Sequence, residues 1–145
     1  MKARFLRRDE RTYAQSIFGK TIPFDDILIT DANGRPLGPL APFESPTGGS
    51  KYCLPMGHDG FRSCLAGTVV EKFVSGLTHV WQRRHAPAEI RAGGSASEQY
   101  EVGKPWRTYS LQQQARMVAD WVAGGMQLSD PRASYISRNI RAGVA

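Results

Sequence analysis

The stretch VVEKFVSGLTHVWQRRH, from Val69 to His85, decides the fold because it carries the clearest helical pattern in the chain. Its apolar residues recur at intervals of three and four, as on one side of a helix. They are Val70, Phe73, Val74, Leu77, Val80 and Trp81. On another side, Ser75 and His79 lie about 40° from each other at roughly 100° per residue. The pattern predicts a buried amphipathic helix over about residues 68–85.

Shorter helices and strands are predicted around this central helix, from capping residues and from runs of β-branched residues. A first helix is capped by Asp9 and ends at Gly19, and strands follow at Asp26–Thr30 and Lys51–Pro55. A second helix runs from Ser110, its cap, to Ala123. A short helix then begins at Ser129–Pro131 and packs onto the body through Tyr135, Ile136 and Ile140. The 145 residues are therefore expected to form one α+β domain. It has about three to four helices around the central one, a small short-stranded sheet and a loop-rich middle.

The remaining segments are predicted to lack regular structure. Met1–Arg8 is a basic lead-in, expected to be frayed or bound to a partner. Prolines and glycines between Leu37 and Ser50 predict a surface loop. Gly57–Gly60 contains a His and an Asp, but it is interpreted as a tight turn rather than a catalytic pair. The glycine- and serine-rich segment Ala86–Gln99 predicts a flexible connection.

The amino-acid composition says more about the class of partner than about any catalytic activity. The net charge is +6, but the basic residues are scattered and form no nucleic-acid-binding signature. A solvated basic surface or an acidic protein partner is favoured, and binding to nucleic acid or phospholipid headgroups is the weakest alternative. No apolar run approaches the roughly 20 residues that span a bilayer. The start of the chain lacks the pattern of a Sec signal peptide, so cytoplasmic synthesis is expected, with any export through a dedicated machine.

Three stretches resemble one bacterial family. LTHVWQ, Leu77 to Gln82, resembles the end of the zinc helix in zincin-like metallopeptidase domains attached to, or encoded beside, VgrG spike proteins of type VI secretion systems. YEVGKPWRTYSLQQQARMVADW, Tyr100 to Trp121, is similar to the family segment that contributes the third zinc ligand. DILITDANGRPLG, Asp26 to Gly38, is similar to a family strand and turn. With SIFG at Ser16–Gly19, the resemblance spans roughly Arg8 to Val122.

The resemblance implies a zincin-like fold that has lost its metal ligands. The family helix reads HE(L/M)THVWQ, in which two His bind zinc and the Glu polarises the attacking water. Aligned on THVWQ, the first His falls on Ser75, the Glu on Gly76 and the third ligand on Gln112, and only His79 is retained. One imidazole cannot hold a zinc ion that needs three protein ligands. No cofactor and no catalytic residue are therefore expected, and these four positions form a vestigial cleft.

His79 admits two interpretations. It is either a vestigial ligand facing a cleft beside Gln112, or a neutral imidazole hydrogen-bonded within a packed helix pair, which is commoner for a lone His. His85 lies about 120° from His79 at 100° per residue and cannot complete the site. A site rebuilt from His79, His58 and a cysteine has no support from spacing, and Ser75 as a nucleophile with His79 as its base lacks an evident third group.

Cys53 and Cys64 flank a short loop. They form a disulfide after export or remain reduced in semi-buried positions, and the reduced state is favoured in a chain with no signal peptide. Trp81, Trp106 and Trp121 are interpreted as core residues, with Trp106 the one expected to be partly exposed.

Two functions follow from the resemblance. The first is a catalytically inactive zincin-like domain that acts by protein or peptide binding in a type VI secretion context, as an accessory effector module, adaptor or inhibitor-like partner. A sheet-edge strand that takes up an extended peptide is expected in such a fold. Its partner would be a secretion component or a cognate effector or immunity protein. The alternative is an exported antibacterial hydrolase of the same fold, with a rearranged or metal-free site.

Overall fold

A computed structural model gives the chain a mixed α+β fold, the class that the sequence predicts. The structure describes residues 2–33, 52–86 and 98–145. The predicted loop at Leu37–Ser50, Lys51 and most of the connection Ala86–Gln99 lie outside these residues. About five helices and one small sheet form in the part described. The helices are α1 (Arg8–Phe18), α2 (Gly57–Arg62), α3 (Val69–His85), α4 (Leu111–Ala123) and α5 (Ala133–Tyr135), the last continued by a π-helical turn, Ile136–Ile140.

The sheet is built around a buried strand. Its strands are β1 (Ala3–Phe5), β2 (Ile27–Thr30) and β3 (Tyr52–Pro55), in the order β1-β2-β3. β1 runs antiparallel to β2 and β3 runs parallel to it. All four residues of β2 are buried, as is usual for an apolar run with neighbours on both edges. The two predicted strands are confirmed, although the first begins one residue later than expected because Asp26 belongs to a 3-10 turn.

The amino-terminal segment differs from its prediction as a frayed lead-in. Ala3–Phe5 form β1, because pairing with β2 satisfies backbone groups that the basic sequence alone would leave in water. Helix α1 begins at Arg8 with Arg7 as its N-cap, so the prediction of Asp9 as the cap is wrong. The helix ends at the predicted glycine, Gly19, whose φ of 62° suits a residue without a side chain.

A buried ion pair locks this segment to the body of the protein. The Glu10 side chain is fully buried, and its carboxylate accepts two hydrogen bonds from the Arg4 guanidinium, at 2.7 and 2.9 Å. It also accepts the backbone N–H groups of Arg7 at 2.8 Å and Cys64 at 2.9 Å. We call Arg4, Glu10 and these two backbone groups the N-terminal clamp. Four donors satisfy the buried charge, and the clamp ties β1 and α1 to the segment after α2.

Two further sequence predictions need correction. Gly57–Gly60 starts helix α2 instead of forming a tight turn. Gly60 is needed there for close packing, since a Cβ atom would lie 2.5 Å from the Met56 Cβ. Trp106 is only 4% exposed, because its ring packs edge-on against Trp81 with centroids 6.1 Å apart.

The carboxyl-terminal segment closes over the core. Ile136 and Ile140 are buried, as predicted. The indole N–H of Trp81 donates to the Ile140 carbonyl at 2.8 Å. The Arg141 guanidinium donates to the backbone carbonyls of Ser16 at 2.7 Å and Ile17 at 3.2 Å. The two ends of the sequence are therefore held together by side chain–backbone hydrogen bonds.

Candidate functional site

Helices α3 and α4 form the most extensive helix–helix contact in the described chain, and they carry all four positions of the predicted vestigial cleft. The observed bounds, Val69–His85 and Leu111–Ala123, confirm both helix predictions. Ser110 caps α4 as expected: its hydroxyl accepts the Gln113 N–H at 3.1 Å, and the Gln113 side chain accepts the Ser110 N–H at 2.8 Å.

His79 lies within this helix pair and is 6% exposed. Its Nδ1 is 2.7 Å from the side-chain oxygen of Gln82. The Gln82 amide nitrogen donates across to α4, to the Leu111 carbonyl at 2.9 Å and to the Gln114 side-chain oxygen at 3.0 Å. The Gln114 amide nitrogen in turn donates to the Trp106 carbonyl at 3.0 Å. We call the side chains of His79, Gln82 and Gln114 the amide network.

The amide network assigns the form of the imidazole. Both partners of the Gln82 nitrogen are oxygen acceptors, which fixes the orientation of that amide. Its oxygen must then accept from His79, so Nδ1 carries the proton. Burial lowers the pKa of His79, the hydrogen bond with Gln82 opposes that effect, and the charge of Arg83 lowers the pKa further. The pKa stays below its ordinary value, and the imidazole is neutral at pH 7.

The other three positions of the predicted vestigial cleft differ in burial. Gly76 is buried, whereas Ser75 and Gln112 are only half-buried. The hydrogen-bonded link from His79 to α4 runs through Gln82 to Leu111 and Gln114, which matches the interpretation of His79 as a neutral imidazole within a packed helix pair. Gln114 was missed by the sequence analysis. The sequence does hold a sign of its role, because Gln114 is three residues after Leu111 and next to Ala115, on the apolar stripe of α4. A buried amide at such a position needs a hydrogen-bond partner.

The described residues do not offer the ligands of a zinc site. Across the part of the chain that the structure describes, no three His, Cys, Asp or Glu side chains gather closely enough to hold a metal ion. His58 is exposed on α2, whereas His79 is buried. Cys53 and Cys64 are buried, and no disulfide joins them. Burial and the nearby Glu10 carboxylate raise the pKa of Cys64 to about 12, and burial raises that of Cys53, so both thiols stay protonated at neutral pH.

An open groove of about 910 Å³ lies beside this helix pair, between residues 98–104 and the outer side of α4. Glu98, whose charge acts on His79, lines the groove together with Glu101 and Lys104. Its wall on α4 includes Arg116 and Asp120, which form an ion pair at 2.9 Å. The groove is polar and exposed, which suits recognition of a peptide or protein surface more than of a small apolar ligand.

Two tyrosine hydroxyls hold one rim of this groove in place. Tyr109 donates to the Glu101 carbonyl at 2.5 Å and accepts the Lys104 N–H at 3.0 Å. Tyr135 donates to the Lys104 carbonyl at 2.5 Å and accepts the Gly103 N–H at 3.1 Å. The rim is therefore pre-organised, which reduces the entropy lost when a partner binds.

Comparison with known protein families, with curated proteins and with solved structures finds no significant match to this chain. Within the described residues, no helix combines the length and the apolar character that crossing a bilayer requires.

Proposed function

We propose that this chain is a protein-binding domain without metallopeptidase activity, related to the zincin-like domains that accompany VgrG spike proteins. The observation that carries the proposal is the amide network. An active zinc helix would present His79 to a metal with two further ligands. Here the imidazole is buried and hydrogen-bonded to Gln82, whose amide nitrogen donates to the Leu111 carbonyl and the Gln114 side chain on α4.

The binding surface in this proposal is the groove between residues 98–104 and α4. The charge of Glu98, one of its lining residues, acts on the retained imidazole, and two tyrosines fix its rim. The partner is a peptide or protein segment from the secretion apparatus, or a cognate effector or immunity protein.

Metal analysis tests the loss of peptidase chemistry. The protein as purified should contain far less than one zinc per chain and show no peptidase activity. A triple variant, Ser75→His, Gly76→Glu and Gln112→Glu, restores the ligands that the resemblance predicts, and it should gain zinc that is lost again when His79→Ala is added. One equivalent of zinc in the unmodified chain, removed by His79→Ala, would overturn the proposal. A triple variant that folds but takes up no zinc would remove the link to the zincin-like family.

Co-expression with the products of neighbouring genes tests the binding role. A complex should survive size-exclusion chromatography and should be weakened at least tenfold by Glu101→Lys, which reverses a charge on the groove. Asp59→Lys is the matched control, because Asp59 is also an exposed carboxylate but belongs to α2. Equal binding by both variants would place the interface elsewhere.

A further inference from the structure

A second groove, of about 810 Å³, lies along α1 and faces the connection between α2 and α3. One wall is a single face of α1, formed by Asp9, Thr12, Tyr13 and Ser16, which are spaced as neighbours on a helix. Leu65, from the connection between α2 and α3, also lines the groove. This groove belongs to a different element from the groove beside α4, and nothing in the proposed function uses it.

The floor of the α1 groove is apolar and anchored. Tyr13 and Leu65 are half-buried and pack against the buried core, so each presents one side to the groove while the other is fixed. Aromatic and aliphatic side chains held in this way are typical anchors of a protein interface. The floor can take a large apolar side chain from a partner.

One end of the groove is cationic. Arg7 and Arg8 line it and are exposed. Arg7 donates to the backbone carbonyl of Arg62, which holds its guanidinium in position.

The two acidic residues nearest in sequence each accept hydrogen bonds within the chain, and Asp9 is on the groove wall. Glu10 is buried in the N-terminal clamp, and Asp9 accepts the Glu10 backbone N–H at 2.9 Å. Among the described residues neither Arg7 nor Arg8 forms a salt bridge, whereas the neighbouring Arg11 pairs with Asp25 at 2.8 Å. Two exposed guanidiniums therefore remain beside an apolar floor.

We propose that the α1 groove is a docking surface for an acidic segment of another protein. A large apolar side chain of that segment packs on Tyr13 and Leu65, and its carboxylates bind the guanidiniums of Arg7 and Arg8, which suit two-pronged recognition of carboxylate. Charged groups beside an apolar anchor make a surface selective for its partner and raise the rate at which the two associate.

The geometry also gives the spacing of the recognised segment. Arg8 and Tyr13 are separated by about 7.5 Å along the axis of α1 at 1.5 Å per residue. An extended partner covers that distance in about two residues at roughly 3.3 Å each. Because Arg8 and Tyr13 line the same groove, we take a Glu or Asp about two positions from a Leu or Phe as the spacing to test.

Fluorescence anisotropy with a labelled peptide tests the proposal. The probe is an extended peptide with two glutamates placed two positions before a phenylalanine, and the control probe has lysines in place of the glutamates. The acidic probe should bind the full chain and shift the amide NMR signals of α1 and Leu65. Its affinity should fall as salt is raised, because the contacting charges are exposed. No binding of the acidic probe, or equal binding of both probes, would overturn the proposal.

Substitutions in the chain test whether the acidic probe binds at the α1 groove. Arg8→Glu should weaken the acidic probe at least tenfold, and it should fold normally because an acidic residue is favourable in the first turn of a helix. Arg138→Glu is the matched control, an exposed arginine on the carboxyl-terminal segment, and should bind like the unmodified chain. Glu101→Lys should also leave binding unchanged, so this inference and the proposed function can fail independently. If duplex DNA or vesicles of anionic lipid bind through Arg8 and the acidic peptide does not, the partner is a polyphosphate surface and the proposal is wrong.

Discussion

The N-terminal clamp gives the sharpest stability prediction. Glu10→Gln keeps the shape of the side chain but removes its charge, and it turns one of the two acceptor oxygens into a donor. The Arg4 guanidinium and either the Arg7 or the Cys64 backbone N–H then face an amide group that cannot accept their hydrogen bonds. A largely buried cation is left without its counter-ion.

Two independent considerations give the size of the effect. Burial alone would raise the pKa of Glu10, but hydrogen bonds from Arg4 and from the backbone of Arg7 and Cys64 outweigh burial and lower the pKa from 4.5 to about 2. At 1.36 kcal/mol per pKa unit, the fold stabilises the ionised carboxylate by about 3 kcal/mol. Removing one partner of a buried ion pair costs about 3–5 kcal/mol. Because 15% of the Arg4 side chain remains exposed, the lower end applies.

The pH dependence separates this charge effect from a packing defect. Since the pKa of Glu10 is lower in the folded chain, its contribution is fully present above pH 4.5 and is lost as the pH falls through about 2. Glutamine does not titrate. At pH 7 the free energy of unfolding should therefore be about 3 kcal/mol lower for Glu10→Gln than for the unmodified chain. At pH 3 this difference between the two proteins should narrow to about 1–1.5 kcal/mol.

Urea denaturation followed by tryptophan fluorescence measures both values. Asp25→Asn is the control, because the Asp25–Arg11 pair is exposed and should contribute less than about 1 kcal/mol. A Glu10→Gln protein within about 1 kcal/mol of the unmodified chain at pH 7, or a gap of equal size at both pH values, would refute the reasoning about the clamp.

Other substitutions address the core and are read by the same denaturation assay. Trp106→Phe should lower the free energy of unfolding by less than Trp81→Phe does, the difference being about 1 kcal/mol or more. The reason is that the Trp106 indole N–H has no partner among the described residues, whereas the Trp81 indole N–H donates to a backbone carbonyl. Equal losses of stability in the two variants would contradict this. Gly60→Ala should destabilise by about 1–3 kcal/mol through the clash with the Met56 Cβ, and a neutral result would mean that α2 can shift. Gln82→Leu should cost about 2–4 kcal/mol, since it leaves several buried polar groups of the amide network unpaired.

The long elements could be predicted from sequence because their patterns are local. Helix α3 has an apolar stripe over four turns, and its predicted span agrees with Val69–His85 to one residue. Helix α4 has a side-chain cap at Ser110, and α1 stops at Gly19, whose conformation excludes most other residues. These signals act within one helix and do not depend on what packs against it.

The missed features depend on contacts between distant residues. Strand β1 exists because Ala3–Phe5 pair with β2 and because Arg4 reaches Glu10, and neither partner lies within the basic segment Met1–Arg8. Helix α2 has two glycines in six residues, a composition that favours a turn unless close packing rewards it. The candidate site shows the same division: the sequence gives prominence to His79, but Gln114 enters the amide network only through the crossing of α3 and α4.

The hydrogen bonds from Arg141 to the carbonyls of Ser16 and Ile17 bear on how the protein is made. They join residues 125 and 124 positions apart, so α1 leaves the ribosome long before its covering segment is translated. Contacts of such separation form late. We therefore expect the nascent chain to remain open around the Trp81 indole until Ile140 and Arg141 have been translated, a state that chaperones can recognise.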